Sequence, residues 1–161
     1  MGSPSQKSPE GISKMLSTPR MFKTFRDAIH GDIDLYEWEV QIIDTPEFQR
    51  LRGIKQLGLA YYVYPGALHT RFEHSLGTVH TTQTIIDSLK RNHKDFEDAH
   101  RIRIIRLVAL LHDIGQLPFG HTLEDEFSII SGRHDQWERI EKYIGIGTEI
   151  GSTLIALGIF E

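Results

Sequence analysis

The stretch "EDAHRIRIIRLVALLHDIG", residues 97–115, decides the fold. Its apolar residues keep a helical spacing, which makes it the strongest helix in the chain. Arg101, Arg103 and Arg106 give its first half a wet side, whereas Leu107 to Leu111 are all apolar and predict burial on every face. His112 and Asp113 follow that run directly, and Gly115 and Pro118 stop the helix soon afterwards. A carboxylate in that place is costly to bury unless it is paired or bound to a metal. Two compensations are open. Asp113 can hydrogen-bond a neighbouring histidine or arginine at the helix end, or it can share a cation with His112 and with His74 of the preceding helix.

Upstream, "HTRFEHSLG" (69–77) opens a second amphipathic pattern, in which Leu76, Val79, Ile85, Ile86 and Leu89 predict a helix from Glu73 to about Arg91 with His74 near its start. "DTPEFQRLRGIKQLG" (44–58) carries helix-start chemistry: Asp44 or Thr45 can cap, Pro46 suits the first position, and apolar spacing continues to Gly58. "LAYYVYPGALHT" (59–70) reads as a packed aromatic connection, and "FKTFRDAIHGDIDLYEWEV" (22–40) as a short hairpin or extended segment around Gly31. Further helices are expected at about 121–131, 134–144 and 147–160. The fold class that follows is all-α, a helical bundle with a short N-terminal hairpin.

The remaining chain sets bounds. Residues 1–20 are rich in Ser, Pro, Gly and Lys and read as a flexible tail, leaving one domain over 21–161; its apolar end, "TLIALGIFE", leads us to expect a domain incomplete at that end. With 161 residues a sizeable core is available. No apolar run is long enough for a membrane span, and with no signal peptide the cytoplasm is the default location. There is no cysteine, so any metal must be held by histidine and carboxylate. A net charge of -4 argues against broad attraction to nucleic acid but leaves single-stranded nucleic acid and small anionic substrates open. The basic residues at 90, 91, 94, 101, 103 and 106 read as a solvated face.

Other chemistry-bearing groups lie around the His-Asp pair. His121 with Glu124 or Asp125 in "GHTLEDEF", and His134 with Asp135 in "GRHDQWE", offer imidazoles able to protonate a leaving oxygen, each with an acid to orient it. Glu124 and Asp125 are equally at home as first-turn acids of a capped helix.

"IIDTPEFQRLRGIKQLGLAYYVYPGALHTRFEHSLG" (42–77) followed by "ALLHDIGQLPFGH" (109–121) resembles the HD-domain phosphohydrolases, in the branch of the SAM-and-HD-domain deoxynucleotide triphosphohydrolases and dGTPase-like proteins. The resemblance runs from about Phe25 to His121. It implies a divalent metal (Fe, Mn, Zn, Co, Ni or Mg) held by His74, His112, Asp113 and a later aspartate, for which Asp135 is a poorly matched substitute. Arg71 corresponds to an arginine that reaches a substrate phosphate, and Gln56 and Leu57 to positions facing the nucleotide sugar or base. Relatives carry histidine where this chain has Gln116, which can hydrogen-bond a phosphate but cannot shuttle a proton; His121 and His134 then remain as proton donors. Asp44, Gln49 and Arg52 correspond to positions that bind a regulatory guanine nucleotide, although Asp44 also reads as a cap and the other two share a helix face by spacing alone. The resemblance implies hydrolysis of deoxynucleoside triphosphates to nucleoside and triphosphate, in a homo-oligomer. A phosphodiesterase or nucleotidase on the same site, or a nucleotide-binding or oligomerisation module without turnover, is the alternative.

Overall fold

The computed structural model describes residues 21–93, 96, 98–119 and 133–159. The expected tail over 1–20, the helix expected at 121–131, His121, Glu124 and Asp125 lie outside the described residues.

Two antiparallel strands open the described chain, β1 (Met21–Asp27) and β2 (Gly31–Tyr36), with Phe25 opposite Ile33 and Asp27 opposite Gly31. The turn between them is closed by Asp27, whose Oδ1 accepts the N–H groups of Ile29 and His30 at 2.9 and 2.8 Å, and by Gly31 at φ +74°. Strand alternation in β2 buries Ile33 and Leu35 and leaves Asp32 and Asp34 outside. The chain is therefore mostly helical rather than all-α.

Six helices follow among the described residues: α1 (Glu37–Ile43), α2 (Pro46–Gln49), α3 (Arg71–Asn92), α4 (Ala99–Leu111), α5 (Trp137–Ile144) and α6 (Glu149–Ala156). The segment "EWEV", expected to be extended, instead starts α1, because the Glu39 carboxylate reaches back to the Tyr36 N–H at 2.8 Å and caps a helical turn. Thr45 rather than Asp44 caps α2, and Asp44 ends α1. The helical spacing expected to run to Gly58 stops earlier, in a 3-10 turn over Arg50–Gly53. Of the expected aromatic connection only Ala60–Tyr62 forms a 3-10 turn, and Leu57, Leu59, Tyr62, Val63, Tyr64 and Leu68 are exposed rather than packed.

Both long helices begin with the caps their sequences carry. Thr70 and Glu73 form a capping box at α3, and Asp98 accepts from the His100 and Arg101 amides at α4. The short connection between them makes the two helices antiparallel neighbours, so the start of α3 lies beside the end of α4. Leu107, Leu110 and Leu111 join Ile33, Leu35, Ile42, Phe48, Phe72, Leu76 and Leu154 in one core. Val108 is 62% exposed, so the apolar run 107–111 is not buried on every face. Arg106, expected on a wet side, is 1% exposed. Its Nε and Nη2 each donate to Glu39 at 2.7 Å, Nη1 donates to Gln83 Oε1 at 2.6 Å, and the guanidinium lies 4.6 Å over the Tyr36 ring. Arg101 stays exposed, as expected, and Arg103 lies 5.2 Å over Trp38. Among the described residues no helix is long and apolar enough to cross a membrane.

Candidate metal centre

The antiparallel pairing of α3 and α4 brings His74, on the first turn of α3, to His112 and Asp113, at the end of α4. His74 Nε2 and His112 Nε2 are 3.2 Å apart, and each is 3.5 Å from Asp113 Oδ2. Among the described residues these three form the group of histidines and acids able to hold an ion, with all their donor atoms within 4.8 Å of one another.

The local geometry prepares the donors. His112 Nδ1 lies 2.9 Å from the Ala109 carbonyl, which can only accept, so the proton resides on Nδ1 and the Nε2 lone pair faces His74 and Asp113. Burial pushes the His74 imidazole below its ordinary value, with Asp113 opposing, which keeps the ring neutral and able to donate a lone pair near pH 7. Two nitrogens and one oxygen at this mutual spacing suit a single divalent ion, since neighbouring ligands about 2.1 Å from a metal lie roughly 3 Å apart.

Asp113 is 3% exposed, and Arg71 Nη1 donates to its Oδ2 at 2.7 Å. The first compensation read from the sequence, pairing with an arginine, is thus present, and the donors for the second stand at the same carboxylate. Arg71, the first residue of α3, also donates from Nη2 to the Gln56 carbonyl at 3.3 Å, which ties the Gln56 turn to the site. On the other side His134 Nε2 stands 3.8 Å from Asp113 Oδ1. That approach depends on Gly115: a Cβ there would lie 2.3 Å from the His134 carbonyl oxygen.

Gln116 is fully buried, and both ends of its amide are without a hydrogen-bond partner among the described residues. Gln56 Oε1 and Arg71 Nε share that condition. Buried polar atoms in this state mark a place where a ligand's polar atoms fit. Leu57, which follows Gln56 in the chain, is exposed. Asp135 is not brought to the triad; it is exposed and pairs with Arg133 at 3.7 Å. His69 is an exposed loop residue whose carbonyl accepts from the Gln56 N–H. Gln49 and Arg52 are joined by a 2.8 Å hydrogen bond, Gln49 Nε2 donates to the Ile43 carbonyl, and Arg52 lies 3.5 Å over the Phe72 ring; Asp44 is exposed at the end of α1.

One contributor escaped the sequence reading. Arg50 donates to the carbonyls of Ile114 and Gln116, in the turn that carries Asp113. In sequence it is one more polar residue on a short helical stretch, and nothing local sets it apart.

The HD domain family model matches residues 71–152. The chain is 45% identical over 112 residues to Deoxynucleoside triphosphate triphosphohydrolase SAMHD1 of Xenopus laevis, covering 69% of this chain and 18% of that protein. It is 41% identical over 116 residues to the protein of the same name from Homo sapiens, with 71% and 18% covered. An uncharacterized protein of Methanocaldococcus jannaschii is 53% identical over 102 residues, with 63% and 21% covered. The chain thus spans about a fifth of the length of these curated relatives.

Proposed function

The chain belongs to the HD-domain family, and on that premise we propose that it is a metal-dependent phosphohydrolase that cleaves deoxynucleoside triphosphates into deoxynucleoside and triphosphate. One observation carries the reading: His74, His112 and Asp113 converge with both imidazole Nε2 atoms turned toward the Asp113 carboxylate. The substrate class is supported by the printed names of the triphosphohydrolase relatives.

His74, His112 and Asp113 hold the ion. When bound, a divalent ion supplies Lewis acidity toward a phosphate oxygen and toward water. Arg71, already anchored on Asp113 and Gln56, steadies the phosphates with the remaining capacity of its guanidinium. The two-ended amide of Gln116 hydrogen-bonds the phosphate without moving a proton. His134 then protonates the leaving sugar oxygen, a role His121 shares in this reading. Gln56 and Leu57 face the nucleoside. Asp44, with the joined Gln49 and Arg52, takes a regulatory guanine nucleotide, and the exposed apolar strip from Leu59 to Leu68 is the face on which copies of the chain associate.

A non-catalytic nucleotide-binding module is the second reading, favoured by the untitratable Gln116 at the site. Elemental mass spectrometry of the purified protein and of His112→Ala, followed by product analysis with a deoxynucleoside triphosphate, tests both. About one metal per chain, lost in the variant, with triphosphate released, supports the first reading. Inorganic phosphate or a monophosphate as product points instead to a nucleotidase or phosphodiesterase, and nucleotide binding unaffected by the variant, without turnover, points to the module.

A further inference from the structure

We infer that Arg50 is a positioning residue for the metal triad, acting through the backbone of the turn that carries Asp113. Its Nη1 donates to the Gln116 carbonyl at 2.7 Å and its Nη2 to the Ile114 carbonyl, so one planar fork holds two acceptors that bracket Gly115. Carbonyls just beyond a helix C-terminus have lost their helical donors, and a cation is favoured there. Within the turn itself the backbone bonds are Ile114 N–H to Leu111 and Gln116 N–H to Asp113. Arg71 holds the Asp113 carboxylate directly, but the backbone of 114–116 has only these two short-range bonds of its own, and the Arg50 fork ties that backbone to a distant element.

The fork is itself held. The guanidinium carbon lies 3.9 Å over the Tyr143 ring, so Arg50 joins three elements: its own 3-10 turn, the Asp113 turn and α5. Burial lowers its pKa from the ordinary value, yet a guanidinium stays charged at any ordinary pH. A lysine at this position keeps the charge but loses both the planar two-carbonyl geometry and the stacking. Arg50 has no hydrogen bond to a donor atom of the triad; displacing it moves His112 and Asp113 only by letting residues 114–116 relax.

The inference rests on the metal reading above, so its test includes an arm that needs no metal. Hydrogen exchange is measured on the parent, Arg50→Lys, Arg50→Gln and Tyr143→Leu, comparing the amides of Ile114 and Gln116 with those of Leu107 and Leu110 inside α4. In both Arg50 variants the turn amides are expected to exchange at least tenfold faster while the α4 amides stay within threefold; Tyr143→Leu shifts them in the same direction by less. The same proteins are titrated with Co²⁺ alone, with affinity expected to fall at least tenfold and the visible d–d band to shift. Turn and α4 amides accelerating together would make Arg50 merely structural and overturn the proposal, as would a folded Arg50→Gln with unchanged turn exchange or an unchanged cobalt band. Should the parent and His112→Ala both bind no Co²⁺, it is the metal reading that falls, and the exchange arm alone decides whether Arg50 holds the turn.

Discussion

Arg106 with Glu39 and Arg71 with Asp113 are both buried arginine–carboxylate pairs with 2.7 Å contacts, yet their surroundings differ. Glu39 accepts two guanidinium nitrogens and the Tyr36 N–H, and the third nitrogen of Arg106 goes to Gln83. That pair is bidentate and closed, and it cements β2 and α1 to α3 and α4. Asp113 accepts a single nitrogen of Arg71, while three imidazoles stand 3.5 to 3.8 Å from its two oxygens. Arg71 Nε and the amide of Gln116 lack partners there among the described residues. Burial of charge does not by itself mark function; spare hydrogen-bonding capacity beside the buried charge does.

The comparison breaks most readily at the closed pair. Arg106→Met strands Glu39 in the core and is expected to cost about 3–5 kcal/mol of unfolding free energy in urea titrations, whereas Arg106→Met with Glu39→Leu recovers most of that loss. A cost under about 1 kcal/mol for the single change would show that the closed pair is not structural. Asp113→Asn is expected to differ: the amide oxygen still accepts from Arg71 but leaves its charge uncompensated, so stability falls by about 1–3 kcal/mol, less than at the closed pair, while Mn²⁺ affinity drops at least about 100-fold in calorimetric titration. Thr70→Ala sharpens the contrast by removing the cap one residue before Arg71. It should cost about 1 kcal/mol and loosen the amides of Arg71 to His74 without disturbing those around Arg106.

The smallest effect is expected at the far end of α4. Backbone hydrogen bonds from Arg101 and His100 hold the exposed Asp98 carboxyl below its ordinary value of 3.8. A depressed folded-state pKa means that the ionised cap stabilises the fold above the unfolded value and loses that contribution as pH falls through the lower, folded one. Asp98→Asn keeps a capping side chain but no titration, so the acid limb of the thermal midpoint should flatten slightly, with metal affinity unchanged. A change in metal affinity would show that the end of α4 far from the triad is coupled to it.

Much of the fold was legible because its signals are local. The apolar spacing of Leu76, Val79 and Ile86 and of the 97–115 stretch announced the two long helices, and the pattern around Gly31 announced the hairpin. "EWEV" was misread because the capping role of Glu39 competes with strand alternation, and the aromatic stretch 59–68 because apolar composition does not say which face meets the core. Arg106 was misread for the same reason: three arginines at close spacing look like a wet face until one of them finds Glu39. At the site, the triad's residue types and the place of Arg71 were readable from the family motif, whereas Arg50 was not, because its hydrogen-bond partners are two carbonyls far along the chain.

By itself the sequence determined the helical periods, the helix-start chemistry around Thr45 and Pro46, the absence of thiolate ligands and the histidine and aspartate donors of an HD-type pattern. These depend on neighbours within a turn or two of chain, where spacing alone fixes which side chains meet. Only the tertiary structure decided that His74 meets His112 across 38 residues, that Arg71 neutralises Asp113 across 42, and that Arg106 closes on Glu39 across 67. Those encounters follow from the antiparallel packing of α3 and α4 and from the β2–α1 layer against them. A residue's burial and its partner are properties of the packed elements rather than of its neighbours in sequence.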